Sequence, residues 1–446
     1  MARIEVGFEG SRGGQCPLSW GQKAIWGAKT RLEPNDAVMN MGWITAIEDE
    51  GISYQTPLAR IEETVRQVVL RHESLRTLFP VDEDGRPYQV LCQSGQVPVE
   101  LVDASPAEAH EEASTLRERL VTPVYAYGTE LPLRVGAVRV NGFVTHAVFV
   151  VSHIATDRGG LNALVRDVLD GLRGKPLSPT DARQPYDQAR YQNSEAGRRQ
   201  SEKALRHWER QLRSVPPSRF GEGGEASEPR YWNGVLTSPA MDKAVSLLAA
   251  RQRVSSSAVL LAAASFMLAR DTGIDTSVLQ VIVGNRFRAG YGDSVCPSAQ
   301  DGLCVVQVGD LSFTQVVERA MKASMSAYLN SQYDPWALEN LLATVAGGRG
   351  GEIDLSCSFN DRRFDAQTPL EATATEAEVR EALPATTFHW EPPLDKYGAR
   401  YFLHINGVPN AIELCLFADT TVMPPKMIED HLRGMESVTV QAASTS

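Results

Sequence analysis

Val148-Phe-Val-Val-Ser-His-Ile-Ala-Thr-Asp-Arg-Gly-Gly160 runs from β-branched and aromatic residues straight into one histidine, with an aspartate four residues later and two glycines behind it. Ala147 to Val151 has the composition of a strand. The Gly159-Gly160 pair lets the backbone turn tightly before the periodic segment Leu161 to Leu172, so His153 is expected at a strand end, facing a strand-to-helix turn. An imidazole has a reference pKa of roughly 6.5, so a neutral ring there can take a proton from an attacking amine or hydroxyl. A lone histidine in an apolar run is more often a satisfied core residue; Asp157 and the glycines shift the reading toward an active site.

Working outward, Thr56-Pro57 followed by Leu58, Ile61, Val65, Val68, Val69 and Leu75 predicts an amphipathic helix with a threonine cap and a proline in its first turn. Further helices are expected over 105–120, 161–174, 187–214, 254–270, 312–330 and 422–436. Strands are expected over 39–47, 132–139, 144–152, 277–284, 353–359, 400–406 and 411–418. Strands and helices intermix in both halves, so the expected class is α/β, with layered lobes whose sheets carry helices on a face. The order strand, helix, strands, histidine loop, helix partly recurs in the second half, which suggests a structural duplication. Pro216 to Pro229 and Ala346 to Glu352 are poor in apolar residues and rich in glycine, and read as exposed loops. The segment Gly174 to Gln184, with Pro176 and Pro179, is the expected joint between halves.

Composition narrows the function classes. With 446 residues, 43% of them hydrophobic and 22% charged, the chain has enough apolar material for one large or two medium cores. A net charge of -11 argues against nucleic acid as a partner, because phosphate binding needs basic surface. Cysteines 16, 92, 296, 304, 357 and 415 form no CxxC pair and no metal-like cluster, and the first ten residues lack the apolar segment of a signal peptide. The longest apolar run, Ala258 to Ala269, contains Ser265 and is too short to span a bilayer. A cytoplasmic protein with neither a metal site nor a membrane anchor is the resulting expectation.

Several segments resemble, in order, the signature segments of nonribosomal peptide synthetase condensation domains, and the resemblance covers nearly the whole chain. Leu18-Ser-Trp-Gly-Gln22 through Ile25-Trp26 is similar to that family's opening motif, and Arg71-His-Glu-Ser-Leu-Arg-Thr-Leu-Phe79 matches its second motif almost letter for letter. Ser152-His-Ile-Ala-Thr-Asp-Arg158 resembles the catalytic HHxxxDG. Tyr186-Asp-Gln-Ala-Arg-Tyr with His207-Trp208 resembles the motif that begins the second lobe. Val283-Gly-Asn-Arg286, Tyr333-Asp-Pro335 and Asp354 to Asn360 follow the later motifs with falling fidelity. The resemblance implies two chloramphenicol-acetyltransferase-like lobes arranged in a V with a central tunnel, the first over 1–178 and carrying the SHxxxD loop, the second over 179–446. Two departures stand out: Ser152 where the family has its first histidine, and Arg158 where it has glycine. Neighbouring strand side chains face opposite sides, so Ser152 and His153 cannot both project into one tunnel if the strand persists through them.

The resemblance also implies roles. His153 is the catalytic candidate, as proton acceptor or as the group that holds the nucleophile and the tetrahedral intermediate. Asp157 is expected to be structural, paired with an arginine from the second lobe, Arg286 in preference to Arg288, with Ser152, Gly159 and Gly160 supporting the site. Arg71, His72 and Arg76 are expected to pack a helix to its sheet. Arg199, Lys203, Arg206 and Arg210 recur at helical spacing and read either as a solvated face or as a docking stripe for an acidic carrier protein. No cofactor is expected to bind directly; phosphopantetheine would arrive on the carrier, in trans, because adenylation, carrier and thioesterase segments do not fit the length. The expected reaction moves an aminoacyl group, on the pattern of β-aminoacyl transfer, from a carrier thioester to a small-molecule hydroxyl. That resembles the ester-forming condensation enzymes of enediyne antibiotic pathways. Amide formation with an amine acceptor and a non-catalytic recruitment role remain open.

Overall fold

The strand that leads to His153 is buried on both faces: Ala147, Phe149 and Val151 point into one apolar core, Val148 and Val150 into another. Alternation of this kind follows from the pleat, and it makes this strand the centre of a layered unit. The structure, a computed structural model, describes residues 2–221, 223–363 and 374–445. It divides into two compact units, Met1–Ser201 with Gly284–Gln300, and Glu202–Val283 with Asp301–Ser446.

The first unit contains β1 (Ala2–Glu9), β2 (Gly14–Pro17), α1 (Trp20–Leu32), β3 (Met41–Ala46), α2 (Leu58–Arg71), β4 (Thr77–Leu78), β5 (Tyr88–Leu91), β6 (Ser94–Asp103), α3 (Ala109–Val121), β7 (Leu133–Val140), β8 (Phe143–Val151), α4 (Arg158–Leu172) and α5 (Pro185–Gln192). Its main sheet has the order β1-β6-β7-β8-β3, with β6 and β7 parallel and the other neighbours antiparallel. β2, β5 and β4 form a separate small sheet. Ile61, Val65, Val68 and Val69 of α2 and Leu161, Leu164 and Val168 of α4 fill one face of the main sheet; Ala113, Leu116 and Leu120 of α3 fill the other. β7 and β8 are joined by Asn141-Gly142, both at positive φ (52° and 85°), the conformation a two-residue hairpin needs to match strand twist.

α6 (Glu195–Ser214) begins in the first unit and continues into the second. The second unit then adds β9 (Tyr231–Ser238), α7 (Pro239–Gln252), α8 (Ser256–Thr272), β10 (Thr276–Val283), β11 (Gln300–Gln307), α9 (Phe313–Leu329), α10 (Pro335–Arg349), β12 (Cys357–Asp361), α11 (Glu376–Ala382), β13 (Thr387–Leu394), β14 (Tyr401–Val408), β15 (Ala411–Asp419) and α12 (Pro425–Ala443). Its sheet runs β11-β10-β12-β14-β15-β9-β13. α7, α8, α9 and α12 pack on one face, while α6 and α10 lay Trp208, Leu212, Leu338 and Val345 over Val278 and Leu303 on the other. Among the described residues no single helix is long and apolar enough to cross a membrane; α7 and α8 reach that composition only as a pair, which is bent by 109°.

Several expectations need correction. The helix expected over 187–214 is two, α5 and α6, because the Asn193 side chain donates back to the Ala189 carbonyl and the Ser194 hydroxyl donates back to the Tyr191 carbonyl while accepting the Gly197 N–H at the start of α6, so both side chains compete with a continuous helical ladder. Thr56 does not cap α2: Pro57 is the N-cap, and the Thr56 hydroxyl donates to the Ser53 carbonyl at 2.6 Å. Ala346 to Arg349 is not loop but the last turn of α10, held where Arg349 donates to the Leu212 and Val215 carbonyls and ended by Gly350 in the left-handed region at φ 73°. The compact units do not part at 178/179. The expected joint, Gly174 to Gln184, is fastened within the first unit by Leu177 N–H to Gln67, Arg183 N–H to the Gly290 carbonyl and Gln184 to the Glu73 N–H.

Trp208 is fully buried and meets Tyr333 edge-on, with ring centroids 5.3 Å apart. Trp208→Ala is therefore expected to destabilise the protein by roughly 3–5 kcal/mol, read as a lowered midpoint in urea unfolding, with the far-ultraviolet spectrum of the folded state unchanged.

Candidate active site

The ladder of β8 ends at Val151, and Ser152 to Thr156 form a tight turn closed by the Ala155 N–H on the Ser152 carbonyl (2.9 Å) and the Thr156 N–H on the His153 carbonyl (3.3 Å). His153 is half-buried, and its Nδ1 lies 2.9 Å from the Thr156 carbonyl. A carbonyl only accepts, so Nδ1 carries the proton of the neutral ring and Nε2 presents the lone pair. A turn carbonyl thus sets the tautomer that a proton acceptor requires.

Asp157 follows as the N-cap of α4 and is 4% exposed. Its Oδ1 accepts from the Gly160 N–H (2.9 Å) and from Arg286 (2.5 Å). Its Oδ2 accepts from the Ser298 N–H (2.8 Å), the Ser298 hydroxyl (3.1 Å) and the Ala299 N–H (3.0 Å). Burial is the largest single influence on this carboxyl and alone would raise its pKa. The Arg286 charge and the Gly160 and Ser298 donors together outweigh it and hold the group below the usual aspartate value. Arg286 in turn donates to the carbonyls of Tyr291 (2.9 Å), Ser294 (2.7 Å) and Cys296 (3.0 Å), so one guanidinium folds the segment 284–300 on itself and ties it to Asp157. The arginine expected from a second lobe belongs to the same compact unit as the aspartate. Arg288 lies elsewhere, donating to Gln200 at 3.3 Å.

Gly159 and Gly160 do not act as a flexible turn: both lie in the first turn of α4. A Cβ on Gly159 would come within 2.3 Å of Arg286 Nε, and one on Gly160 within 2.2 Å of the Thr156 hydroxyl and 3.0 Å of Arg286. Their role is close approach, since any side chain would push the arginine from the carboxylate. Arg158 is exposed at the first position of α4, and Ser152 is buried on the side opposite His153.

Residues of the second motif do pack the scaffold. Arg71 Nε and His72 Nε2 share Asp167 Oδ2 at 2.7 and 2.8 Å, and burial lowers the His72 pKa, keeping the ring neutral. Arg76 is 2% exposed and donates to the Arg12 and Cys92 carbonyls. Sequence reasoning missed Arg12, whose guanidinium holds Glu73 (2.5 and 2.7 Å) and Asp187 (2.9 and 2.6 Å) together and so docks α5. It also missed Ser298, Ala299 and the Thr156 carbonyl. Backbone donors and acceptors carry no side-chain signature, and nothing local marks 298–299 as neighbours of residue 157. On α6, Arg199, Lys203, Arg206 and Arg210 are all exposed, and Arg199 pairs with Glu195 one turn earlier.

Residues 14–382 match the model of the condensation domain family. The chain belongs to the condensation domain family. Among curated relatives it is 24% identical over 335 residues to bacitracin synthase 2 of Bacillus licheniformis, which covers 72% of this chain and 12% of that protein. The chain therefore spans about an eighth of that relative's length. Among solved structures, the condensation domain in the work on chain release from the enacyloxin polyketide synthase superposes with a TM-score of 0.73 at 17% identity, over 97% of this chain and 83% of that one. SgcC5 of Streptomyces globisporus, crystallised with (R)-(-)-1-(2-naphthyl)-1,2-ethanediol and sucrose, gives 0.69 at 16% identity, over 96% and 99%. These likenesses show the mixed α/β fold of condensation domains, with open sheets.

Replacing Asp157 by Ala leaves Arg286 and the turn amides unmatched in the interior, with an expected loss of about 3–5 kcal/mol and mainly misfolded product. Asp157→Asn reports the sign of the pH dependence. The folded carboxyl lies below the ordinary value of 3.8, so its contribution is complete above that pH and disappears as pH falls through the lower folded value. Denaturation curves should show a constant wild-type advantage between about pH 7 and pH 4 that shrinks below it; an advantage growing on acidification would contradict the assignment.

Proposed function

We propose that this condensation domain transfers an acyl group, of the aminoacyl class with β-aminoacyl groups included, from a carrier-protein phosphopantetheine thioester to a hydroxyl of a small-molecule acceptor, with His153 at the reacting centre. The observation that carries the reading is the ring of His153, fixed through Nδ1 so that Nε2 is the proton acceptor. In the reaction, the acceptor oxygen attacks the thioester carbonyl while its proton moves to Nε2. Collapse of the tetrahedral intermediate breaks the C–S bond, and the proton passes to the departing thiolate, so an ester and a free pantetheine thiol result. An alcohol gains more from a base at this point than an amine does, because a hydroxyl is a weak nucleophile until its proton is drawn off, whereas a neutral amine attacks unaided and sheds its proton from the acidic ammonium adduct. The choice of a hydroxyl acceptor is also supported by SgcC5, a structural relative crystallised with a vicinal diol. A carrier arriving in trans and a place in an antibiotic pathway of enediyne type belong to the same proposal and rest on the family resemblance.

The experiment is a mass-spectrometric assay with carrier proteins loaded with candidate acyl groups, offered alcohol and amine acceptors in parallel. Ester product is expected, and His153→Ala should lower turnover by roughly 10²-fold or more with folding intact. Amide as the sole product would replace the acceptor class. Absence of either product from a protein that still binds loaded carrier would favour a recruitment role.

The exposed cations of α6 are the proposed face for the acidic carrier. Lys203→Glu together with Arg206→Glu should weaken carrier binding, and the difference from wild type should narrow as salt rises. An unchanged dissociation constant would remove α6 from the interface.

A further inference from the structure

The second unit holds a cavity of about 250 Å³ at the end of α8, lined by Phe220, Asp271, Thr272, Thr421, Val422 and Met427. Asp271 is the one charged side chain in that lining, and its state is fixed from behind. His431 and Tyr401 are fully buried; the Tyr401 hydroxyl lies 3.1 Å from His431 Nε2, and His431 Nδ1 lies 2.6 Å from Asp271 Oδ2. The buried phenol O–H needs an acceptor and finds it in Nε2, so Nδ1 carries the imidazole proton and donates to an ionised carboxylate. The imidazole is then neutral, and Asp271, with its side chain 13% exposed, keeps a full negative charge at the cavity wall. It also sits in the last turn of α8, where the free carbonyls already make the potential negative. Both contributions draw a cation to this place.

The remaining walls select the kind of cation. The Thr272 hydroxyl donates to the Leu268 carbonyl at 2.6 Å and the Thr421 hydroxyl to Asp419 Oδ1 at 2.8 Å, so both protons are committed while each oxygen keeps a lone pair. The side chains of the cavity thus offer acceptors and no donor, among the apolar surfaces of Phe220, Val422 and Met427. Lys426, next to Met427, is paired with Asp430, and Arg230 with Asp419. We propose that this cavity binds a small primary ammonium ion with a short apolar tail, its N–H groups donating to Asp271 and to the threonine oxygens and its tail lying against Phe220, Val422 and Met427. A quaternary ammonium has no N–H to give these acceptors. A metal ion would leave the apolar walls unused, and among the described residues no three histidine, cysteine or carboxylate side chains are gathered to hold one. The volume equals that of roughly eight waters, room for an amine of a few carbons. Every residue of the site belongs to the second unit and His153 to the first, so the inference stands independently of the acyl-transfer reading.

The test titrates the full chain, labelled with carbon-13 at its methionine methyl groups, with n-butylammonium chloride. The reporter is the Met427 methyl resonance, assigned through Met427→Leu. A saturable shift is expected, with a dissociation constant on the order of 1 mM for so small a ligand. n-Butanol, which has the tail without the charge, tetramethylammonium, which has the charge without N–H donors, and potassium ion should each bind at least roughly tenfold more weakly. Asp271→Asn keeps an oxygen for the His431 Nδ1–H and removes the charge; it should weaken n-butylammonium binding by roughly tenfold or more. No saturable shift with n-butylammonium, or butanol, tetramethylammonium or potassium binding as tightly as it does, overturns the proposal. Should Asp271→Asn fail to fold, the comparison of the four ligands on wild-type protein decides the matter on its own.

Discussion

One buried carboxylate organises the first unit. Moving an ionised Asp157 out of water costs several kcal/mol, and the site offsets this with a guanidinium and three backbone N–H groups aimed at its two oxygens. The donors come from two stretches far apart in sequence, the start of α4 and the segment 284–300. An arrangement that satisfies all of them admits little play, because any shift leaves a charge or an amide unmatched in the interior. The histidine turn is covalently attached to that fixed point, one residue before it.

This explains why the tautomer of the His153 ring is set by groups that lie behind it in the turn. Thr156, whose carbonyl fixes the ring tautomer, is the residue immediately before Asp157, so the anchor of α4 is also the anchor of the imidazole. β8 contributes rigidity of another kind: with apolar side chains packed on both faces, it cannot slip by a residue without exchanging its two cores. The inner side of the turn is held by Ser152 and Ile154, the far side by Asp157, and the imidazole is the one long polar side chain between them that faces outward.

How much of this could be read in the sequence depended on the range of the signal. The strand before His153, the helix after Asp157 and the amphipathic α2 were legible because their periodicities are local and strong. The pairing of residue 157 with residue 286 came through resemblance to a family and not through any pattern in the intervening residues. Helix α1 was missed because its buried residues are confined to its first turn, Trp20 to Lys23, and leave no apolar period along the rest; α7 and α10 were missed although each starts with proline at its first position. The break between α5 and α6 was invisible since Asn193 and Ser194 are tolerated inside helices, and only their side-chain bonds to the preceding turn end the run. The boundary between compact units was misplaced for a similar reason: proline and glycine content suggested a joint at 174–184, while the contacts that hold that segment to Gln67, Glu73 and Gly290 are long-range.

The claim on which the rest depends is that Asp157 and Arg286 stabilise the site as a coupled pair and not as two independent polar residues. A double-mutant cycle with Asp157→Asn, Arg286→Gln and the combined variant, followed by urea unfolding, measures that coupling directly. The account predicts an interaction energy of roughly 1–3 kcal/mol, with the second substitution costing much less once the first is present. Costs that simply add, leaving a coupling indistinguishable from zero, would contradict it.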